Sequence, residues 1–303
     1  MDHQFTSISD AHRELGLPKP RHPLITLING KTTPIEPGKR PRGHVLRFYK
    51  ISYRPTLSCK IKYGQNYYDF DEGGLLFASP NQVIGGGDDD GPGEADCSLF
   101  TLLIHPDFFW NYPLAKKIKQ YGFFSYSVHE GLHLSEEEKA TIISIFQLIE
   151  TELNSRIDDF SQDVVISQIE LLLNYANRFY KRQFITRKAV NNDLLQQLEE
   201  LVDGYFNSET SLSKGIPTVQ YLAEHLNLSP NYLSDMLRSL IGQNTQQYIH
   251  SKLIEKAKEK LSTTSLTVSE VAYALGFEHS QSFSKLFKAK TNISPLQFRR
   301  SFA

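Results

Sequence analysis

Short apolar runs alternate with turn signals over residues 23–104, and this pattern predicts a series of short β-strands. Runs of β-branched and aromatic residues are separated by glycine, proline and polar turns; the runs are PLITLI, HVLRFYKISY, LSCKIKY, NYYDF, GLLFAS and CSLFTLLI. Strands this short and this often interrupted are typical of a sandwich or a small barrel. The acidic loop GGGDDDGPGE lacks the alternating oxygen ligands and closing glutamate of an EF-hand, so we interpret it as a solvated hairpin loop.

A helical period replaces the alternation after residue 134. Ser135 and Glu138 form the pattern of a capping box, in which each side chain accepts a hydrogen bond from the other residue's backbone amide. Apolar residues then recur at helical spacing up to Leu153, and again from Ile166 to Tyr180 after the polar segment NSRIDDFSQD. The two segments predict a helical hairpin whose outer stripe packs either within the chain or on a second subunit.

The last ninety residues contain an internal repeat. TVQYLAEHLNLSPNYLSDMLRSLIG and TVSEVAYALGFEHSQSFSKLFKAKTN align at an offset of 49 in their first halves and 50 in their second halves, because the second turn is one residue longer. Each copy has the pattern helix, tight turn, helix. In the second copy, Thr267 and Glu270 form a capping box, Gly276 permits a left-handed turn, and Ser280 is predicted to cap the next helix. Two such copies predict two helix-turn-helix motifs, whose second helices can enter a DNA major groove.

The repeat also predicts a core and a spacer. The residues expected in the core are Leu233, Phe277, Phe283, Leu286 and Phe287. Between the copies, TQQYIHSKLIEKAKEKL (residues 245–261) predicts a helix of about 25 Å at about 1.5 Å per residue. Such a spacer can hold the two reading helices about one DNA turn (~34 Å) apart.

Charge is distributed unevenly along the chain. The whole sequence has 33 basic and 34 acidic residues, whereas residues 216–303 have ten basic and six acidic residues. No acidic residue follows His279, although five basic residues do. This C-terminal excess is an electrostatic footprint for phosphate contacts.

HEGLH at residues 129–133 matches the H-E-x-x-H pattern, in which one helix presents two histidines to zinc and a glutamate as general base. His133 lies two residues before the predicted cap at Ser135, and Gly131 interrupts the motif. We therefore expect the helix to begin after the motif, which then serves as an extended connector. A zincin or cupin-type metalloenzyme with a helical appendage remains the alternative function.

The remaining composition narrows the class of protein. Cys59 and Cys97 form neither a disulfide framework nor a metal knuckle. No stretch approaches the roughly 18 to 20 apolar residues that span a bilayer, and the first sixteen residues lack the apolar centre of a secretory signal. The sequence predicts a soluble, cytoplasmic protein that contacts no membrane.

The stretch VSEVAYALGFEHSQSFSKLFKAKTNISPLQFRR resembles the second helix-turn-helix and the downstream signature of the AraC family of bacterial transcription regulators. The resemblance covers residues 216–300. It implies an α+β chain of two domains. Residues 1–185 would form a cupin-like β-barrel or jelly roll with a helical hairpin, for sensing and dimerisation. Residues 186–215 would form a linker with an entry helix, and residues 216–303 an all-α DNA-binding domain with two helix-turn-helix units.

The resemblance implies a sequence-specific transcription regulator and not an enzyme. Its partner would be double-stranded promoter DNA, with RNA polymerase and a small-molecule effector as further candidates and a homodimer as the assembly. Gln82 and Val83 stand where an enzymatic cupin has a metal-binding histidine, so no metal or cofactor is expected. A DNA-binding protein without a ligand, whose front half only dimerises, also remains open.

Carried over position by position, the resemblance assigns the DNA contacts. In the second unit, base readout falls to Ser280, Gln281, Ser284 and Lys285, and phosphate contacts to His279 and Lys288. In the first unit, the base-facing positions are Asn231, Ser234 and Asp235, with Arg238 and Tyr232 near the backbone. Because Asp235 holds the place of Lys285 and its carboxylate repels phosphates, we expect the second unit to supply more of the affinity.

Overall fold

The structure is a computed structural model that describes residues 3–35, 43–55, 61–63, 66–68, 73–85, 98–127, 130–155, 158, 160–208 and 210–302. The chain divides into two compact units, Met1–Gln183 and Phe184–Ala303. The acidic loop at Asp88, Asp89 and Asp90, both cysteines and His129 lie outside the described residues.

The first unit is built on β-strands. They are β1 (His3–Phe5), β2 (Ile25–Asn29), β3 (Gly43–Leu46), β4 (Tyr49–Arg54), β5 (Ile61–Tyr63), β6 (Asn66–Tyr68), β7 (Gly74–Ala78), β8 (Val83–Gly85), β9 (Phe100–Ile104) and β10 (Leu132–His133). An antiparallel sheet has the order β10-β7-β4-β9-β2, and two smaller sheets have the orders β1-β3-β8 and β5-β6. Within the described ranges each sheet is open at both edges, so the predicted closed barrel is not confirmed.

The core of the first unit lies on the large sheet. Every residue of β9 is buried, which explains its uninterrupted apolar sequence: a strand covered on both faces has no need of alternation. Ile51 of β4 lies opposite Leu102 of β9, and neither side chain is exposed. The ring of Phe100 stacks on that of Phe146 at 5.2 Å, which joins the sheet to the helical layer.

The helices of the first unit are α1 (Ile8–Glu14), α2 (Leu114–Lys117), α3 (Glu136–Asn154) and α4 (Ser161–Thr186), with short 3₁₀ turns around α2. Helix α3 begins at Ser135 with the predicted capping box to Glu138. Arg182 of α4 forms an ion pair with Glu138 and donates to the carbonyl of His133 at 2.8 Å, which fixes α4 against the start of α3.

The HEGLH segment precedes α3, as predicted. Leu132 and His133 form β10 and pair with β7, and Glu130 is buried with its carboxylate accepting from the Ser127 amide at 2.6 Å. The backbone amide of His133 donates to Gln183 at 2.9 Å. A helical pair of zinc-binding histidines therefore does not form here. Among the described residues, no group of three histidine, cysteine, aspartate or glutamate side chains is placed to hold a metal ion.

The second unit is helical throughout. Its helices are α5 (Lys188–Asn207), α6 (Thr210–Lys214), α7 (Val219–His225), α8 (Pro230–Ile241), α9 (Thr245–Thr263), α10 (Val268–Ala274), α11 (Ser280–Thr291) and α12 (Pro295–Arg300). Helix α9 confirms the predicted spacer and extends it by two residues. The predicted linker, residues 186–215, contains a second, short helix, α6, after α5. Nowhere in the described part of the chain is a helix both long and apolar enough to cross a membrane.

Candidate nucleic-acid interface

The two copies of the repeat have the same backbone plan. Thr218 caps α7 and Thr267 caps α10, each accepting from the amide three residues later. The turns that follow pass through left-handed residues, Asn227 at φ 53° and Gly276 at φ 89°. Both predicted helix-turn-helix motifs are therefore confirmed as α7–α8 and α10–α11, and the predicted capping box and left-handed turn of the second copy are both found.

The repeat continues beyond the second helix of each motif. Helix α8 ends at left-handed Gly242 (φ 72°) and α11 at left-handed Asn292 (φ 64°). Capping boxes then begin α9 at Asn244 and α12 at Ser294. Each unit therefore consists of two helices and the capped start of a third, so the second helix is fixed at both ends.

The predicted cap at Ser280 is wrong. The N-cap of α11 is His279, whose side chain makes no capping hydrogen bond, and Ser280 is the first residue of the helix. In the first helix-turn-helix unit, α7–α8, the equivalent cap is Ser229, whose hydroxyl accepts from the amide of Tyr232 at 3.3 Å. The extra residue in the second turn, Glu278, shifts the alignment so that His279 takes the place of that serine.

The predicted core of the two motifs is confirmed in part. Leu233, Phe283 and Phe287 are fully buried, whereas Phe277 and Leu286 are only half-buried. Phe277 lies in the turn and packs one edge against the ring of Phe283 at 5.4 Å. Leu286 lies at the margin of the buried stripe that is centred on the two deeper phenylalanines. We therefore correct the expectation that all five residues lie in the core.

The exposed surface of α11 carries amide and ammonium groups. Gln281, Lys285 and Lys288 are exposed and, at spacings of four and three residues, share one face of the helix. His279 is exposed at the start of the helix, and the N-terminus adds the partial positive charge of the helix dipole. Ser280 and Ser284 are half-buried at the edge of the same face. This surface can donate to base acceptors and to phosphates.

The equivalent surface of α8 is already engaged within the protein. Asn231 and Arg238 are exposed, but Ser234 and Asp235 are half-buried. The Ser234 hydroxyl lies 2.9 Å from the hydroxyl of Thr245, the first residue of α9. The Asp235 carboxylate accepts from the Arg238 guanidinium at 2.5 Å. Thr245 was not singled out in the sequence, because its partner is eleven positions away and no local pattern joins them.

Helix α9 holds the two helix-turn-helix units through one buried face. Ile249, Leu253, Ala257 and Leu261 are buried, and Tyr248 is half-buried. Its nineteen residues span about 28 Å at about 1.5 Å per residue.

Beside this buried face, α9 is joined to α5 by ion pairs. Lys252 bonds to Glu199, which raises the pKa of the lysine, and Lys256 lies 3.8 Å from Asp203. These lysines serve the packing of α5 and are not available as phosphate contacts.

His250 of α9 lies close to the end of α11. Burial lowers the pKa of its imidazole, and the nearby ammonium of Lys290 lowers that pKa further. The side-chain amide of Gln246 lies 3.0 Å from Nε2 of the ring. A neutral ring at pH 7 can accept a hydrogen bond from this amide.

Comparison with known proteins places the repeat in a family. A family profile described as a helix-turn-helix domain matches residues 222–301. An uncharacterized HTH-type transcriptional regulator of Staphylococcus aureus (strain MSSA476) is 28% identical over 138 residues, which is 46% of this chain and 17% of that protein. YijO of Escherichia coli (strain K12), also an uncharacterized HTH-type transcriptional regulator, is 35% identical over 85 residues, which is 28% of this chain and 30% of that protein. The chain thus spans less than a third of the length of these relatives.

Two solved structures are similar to about a third of the chain. The C-terminal domain of the two-component response regulator yesN from Fusobacterium nucleatum is 38% identical, over 33% of this chain and 96% of that chain, with a TM-score of 0.29. A transcriptional regulator of Chromobacterium violaceum, described as an AraC-type DNA-binding domain-containing protein, is 21% identical over 38% of this chain and 96% of that chain, with a TM-score of 0.33. Both curated relatives are named as HTH-type transcriptional regulators. Residues 222–301 of this chain form a helix-turn-helix domain of the matching family.

Proposed function

We propose that the chain is a transcription regulator that binds double-stranded promoter DNA by placing α8 and α11 in two successive major grooves. The observation that carries the proposal is the matched backbone of the two units, with caps and left-handed turns at equivalent positions on either side of α9. A helix of about 28 Å, together with the width of the motifs, suits two grooves about one turn (~34 Å) apart.

The exposed groups of α11 supply the main contacts in this proposal. Gln281 pairs with adenine and Lys285 with the acceptors of guanine, while Ser280 and Ser284 make shorter contacts at the edge of the face. His279 and Lys288 contact phosphates. These assignments are supported by the exposure and spacing of the side chains on one helix face.

Helix α8 contributes fewer contacts. Asn231 reads a base and Arg238 contacts the backbone, and Asp235 accepts from a cytosine amino group. The ion pair between Asp235 and Arg238 reduces the charge that α8 offers to phosphates. Ser234 contributes to the interface through its bond to Thr245.

Selection of bound duplexes from a random-sequence pool tests the proposed function with the full chain. We expect an enriched motif with two parts. The Lys285→Ala variant should lose the preference for particular bases in one of these parts. Lys214→Ala, which changes an exposed lysine of α6 outside the two reading helices, is the matched control and should keep the motif. An absence of any enriched sequence with the wild-type chain at moderate salt would reject the proposal.

We also propose that the N-terminal compact unit, Met1–Gln183, is a cupin-like domain that joins two copies of the chain. Phe160, immediately before α4, and Val164 and Leu171 in the first half of α4 form an apolar stripe, with 71%, 39% and 41% of their surface exposed. Spacings of four and seven residues place them on one side of the helix. Because a twofold dimer buries the same stripe from both subunits, a second copy is the partner that fits it. Leu171→Glu should convert a dimer to a monomer in sedimentation, whereas Gln147→Glu, at an exposed polar position of α3, should not.

A cleft of about 180 Å³ in the N-terminal compact unit, Met1–Gln183, is the proposed effector site. Its polar lining includes Arg21, His22 and Glu150, and its apolar lining includes Ile25 and Leu153. Burial lowers the pKa of His22, and its Nδ1 accepts from the Leu24 amide at 3.1 Å, so Nε2 carries the proton and can donate. The volume suits a small polar metabolite.

A thermal-shift screen of sugars and small carboxylates tests the effector site, because a specific ligand raises the melting temperature. His22→Ala should abolish the shift. His105→Ala, outside the cleft, is the control and should retain it. If no compound shifts the melting temperature, the chain is better described as a DNA-binding protein that senses no effector of these classes. RNA polymerase remains a partner predicted by the family resemblance alone.

A further inference from the structure

The end of α5 and the short helix α6 contact both helix-turn-helix units. On the side of the first unit, the ring of Tyr205 packs edge-on against the ring of Tyr221 in α7, with centroids 5.1 Å apart. The hydroxyl of the same tyrosine donates to the carbonyl of Gly215 at 2.9 Å. Tyr205 is therefore fixed at both ends, by the first unit and by the residue that follows α6.

On the side of the second unit, the contact is a buried hydrogen bond. The hydroxyl of Ser211 donates to the carbonyl of Ala274 at 2.9 Å, and only 1% of the serine is exposed. Ala274 is the last residue of α10, where the carbonyl has no partner within the helix. Ser211 thus satisfies a group at the point where α10 turns towards α11.

The turn between α10 and α11 also touches the backbone of Gly215. A Cβ on Gly276 would lie 2.5 Å from the carbonyl carbon of Gly215 and 2.8 Å from its oxygen. In the first unit the equivalent turn residue is Asn227, which has a left-handed φ of 53° and a side chain. The left-handed turn alone therefore does not require glycine; the second unit has glycine because another segment is packed against it.

We propose that residues 210–215 form a brace that fixes the second helix-turn-helix unit relative to the first and so sets the half-site separation that the protein accepts. The inference rests on the proposed reading of two grooves. A single spacer such as α9 leaves its two ends free to twist, whereas a second attachment restricts the rotation of α11 about the spacer. One base pair of added separation demands about 34° of rotation and about 3.4 Å of translation, which the brace opposes. Ser211 and Tyr205 are positioning residues, since they act through the second unit and not on DNA.

Binding of the full chain to three duplexes tests the brace. The first duplex carries the bipartite site selected by the wild-type chain, and the others have its two parts moved one base pair closer or farther apart. Ser211→Ala and Tyr205→Phe each remove one oxygen. Both should reduce the preference for the selected spacing about three- to tenfold, the range expected for one neutral hydrogen bond. Gly276→Asn, which tolerates the left-handed turn but collides with Gly215, should reduce it at least as much.

Two controls isolate the effect. Ser213→Ala removes an exposed hydroxyl of the same helix that bonds to Thr210 of that helix, and Asn227→Gly makes the reciprocal change in the first unit. Both should keep the wild-type spacing preference. A merely structural role for the brace would lower the melting temperature and weaken binding to all three duplexes equally, leaving the preference unchanged.

The outcomes separate this inference from the proposed function. If the wild-type chain selects no bipartite site, the reading of two grooves fails. If it selects one and Ser211→Ala and Tyr205→Phe keep its spacing preference, the brace is rejected while the function stands. Should Gly276→Asn fail to fold by circular dichroism, the two single-oxygen variants decide the question.

Discussion

The hydroxyl of Ser234 lies 2.9 Å from the hydroxyl of Thr245, so a residue predicted to face a base is also bonded to the first turn of α9. Ser234→Ala and Thr245→Val should each lower the free energy of unfolding by about 1 kcal/mol. The double variant should lose less than the sum, because either change breaks the same bond. Chemical denaturation measures all three.

The second helix-turn-helix unit provides the control for the pair Ser234 and Thr245. Ser284 is equivalent to Ser234, but Pro295 takes the place of Thr245, and among the described residues the Ser284 hydroxyl has no hydrogen-bond partner. Ser284→Ala should therefore leave stability unchanged and alter base preference. Additive losses in the first-unit double variant would contradict a shared bond.

The two reading helices should differ in their share of the affinity. Lys285→Ala removes an exposed ammonium from α11, whereas Asn231→Ala removes a neutral amide from α8. Lys285→Ala should weaken binding to the selected site more, by about tenfold or more, since a good base contact is worth about 1–3 kcal/mol. Titration in a mobility-shift assay compares them at one salt concentration. A larger loss with Asn231→Ala would reverse the assignment.

The ion pair between Asp235 and Arg238 should restrain phosphate binding by α8. Asp235→Asn removes the carboxylate and releases the guanidinium, so affinity for duplexes of random sequence, which depends on phosphate contacts, should rise. The slope of log K against log salt should steepen by about one, the value for one additional phosphate contact. Glu255→Gln makes the same change of charge in another i,i+3 pair, with Lys252 on α9, and should leave the slope unaltered.

Features with local causes could be read from the sequence. The capping boxes at Ser135 and Thr267 depend on residues three positions apart, and the structure has both. The repeat located both motifs, because its apolar spacing is set by the helices themselves. The misassigned cap at Ser280 shows the limit of this approach, since one inserted residue moved the cap to His279.

Features with distant causes could not be read in this way. The bond from Ser211 to Ala274 spans 63 positions, and α6 itself lies in a segment whose polar composition favours a loop. Gly276 was predicted for its left-handed turn, but its contact with Gly215 depends on tertiary packing. In the β-rich N-terminal compact unit, individual strands were recognisable from the sequence. The order in which those strands pair is set by long-range contacts that no turn motif specified.

The pKa of His250 should lie below 6.5, because burial and the charge of Lys290 both disfavour the protonated ring. The unfolded chain therefore binds this proton at a higher pH than the folded chain does. Stability contributed by the neutral ring is present above pH 6.5 and is lost as the pH falls towards the folded pKa. Lys290→Gln should raise the pKa part of the way, since burial remains. Histidine-selective NMR titration measures it, and an unchanged value would show that the two side chains do not interact.

Phe283 should dominate the stability of the second motif. Its ring is fully buried between Phe277 and Phe287, so Phe283→Ala should cost about 3–5 kcal/mol. Phe277→Ala should cost clearly less, because that ring is already half-exposed. Thermal unfolding followed by circular dichroism compares the two variants. Equal losses would contradict the burial difference between the rings.

Hydroxyl-radical footprinting of the full chain on a duplex that it has selected tests most directly whether two linked units read one side of the double helix. The proposed binding of α8 and α11 in two successive grooves predicts two protected patches on the same side of the duplex, centred about 10 base pairs apart. Lys285→Ala should weaken one patch more than the other. A single protected patch, or two patches on opposite sides of the duplex, would contradict it.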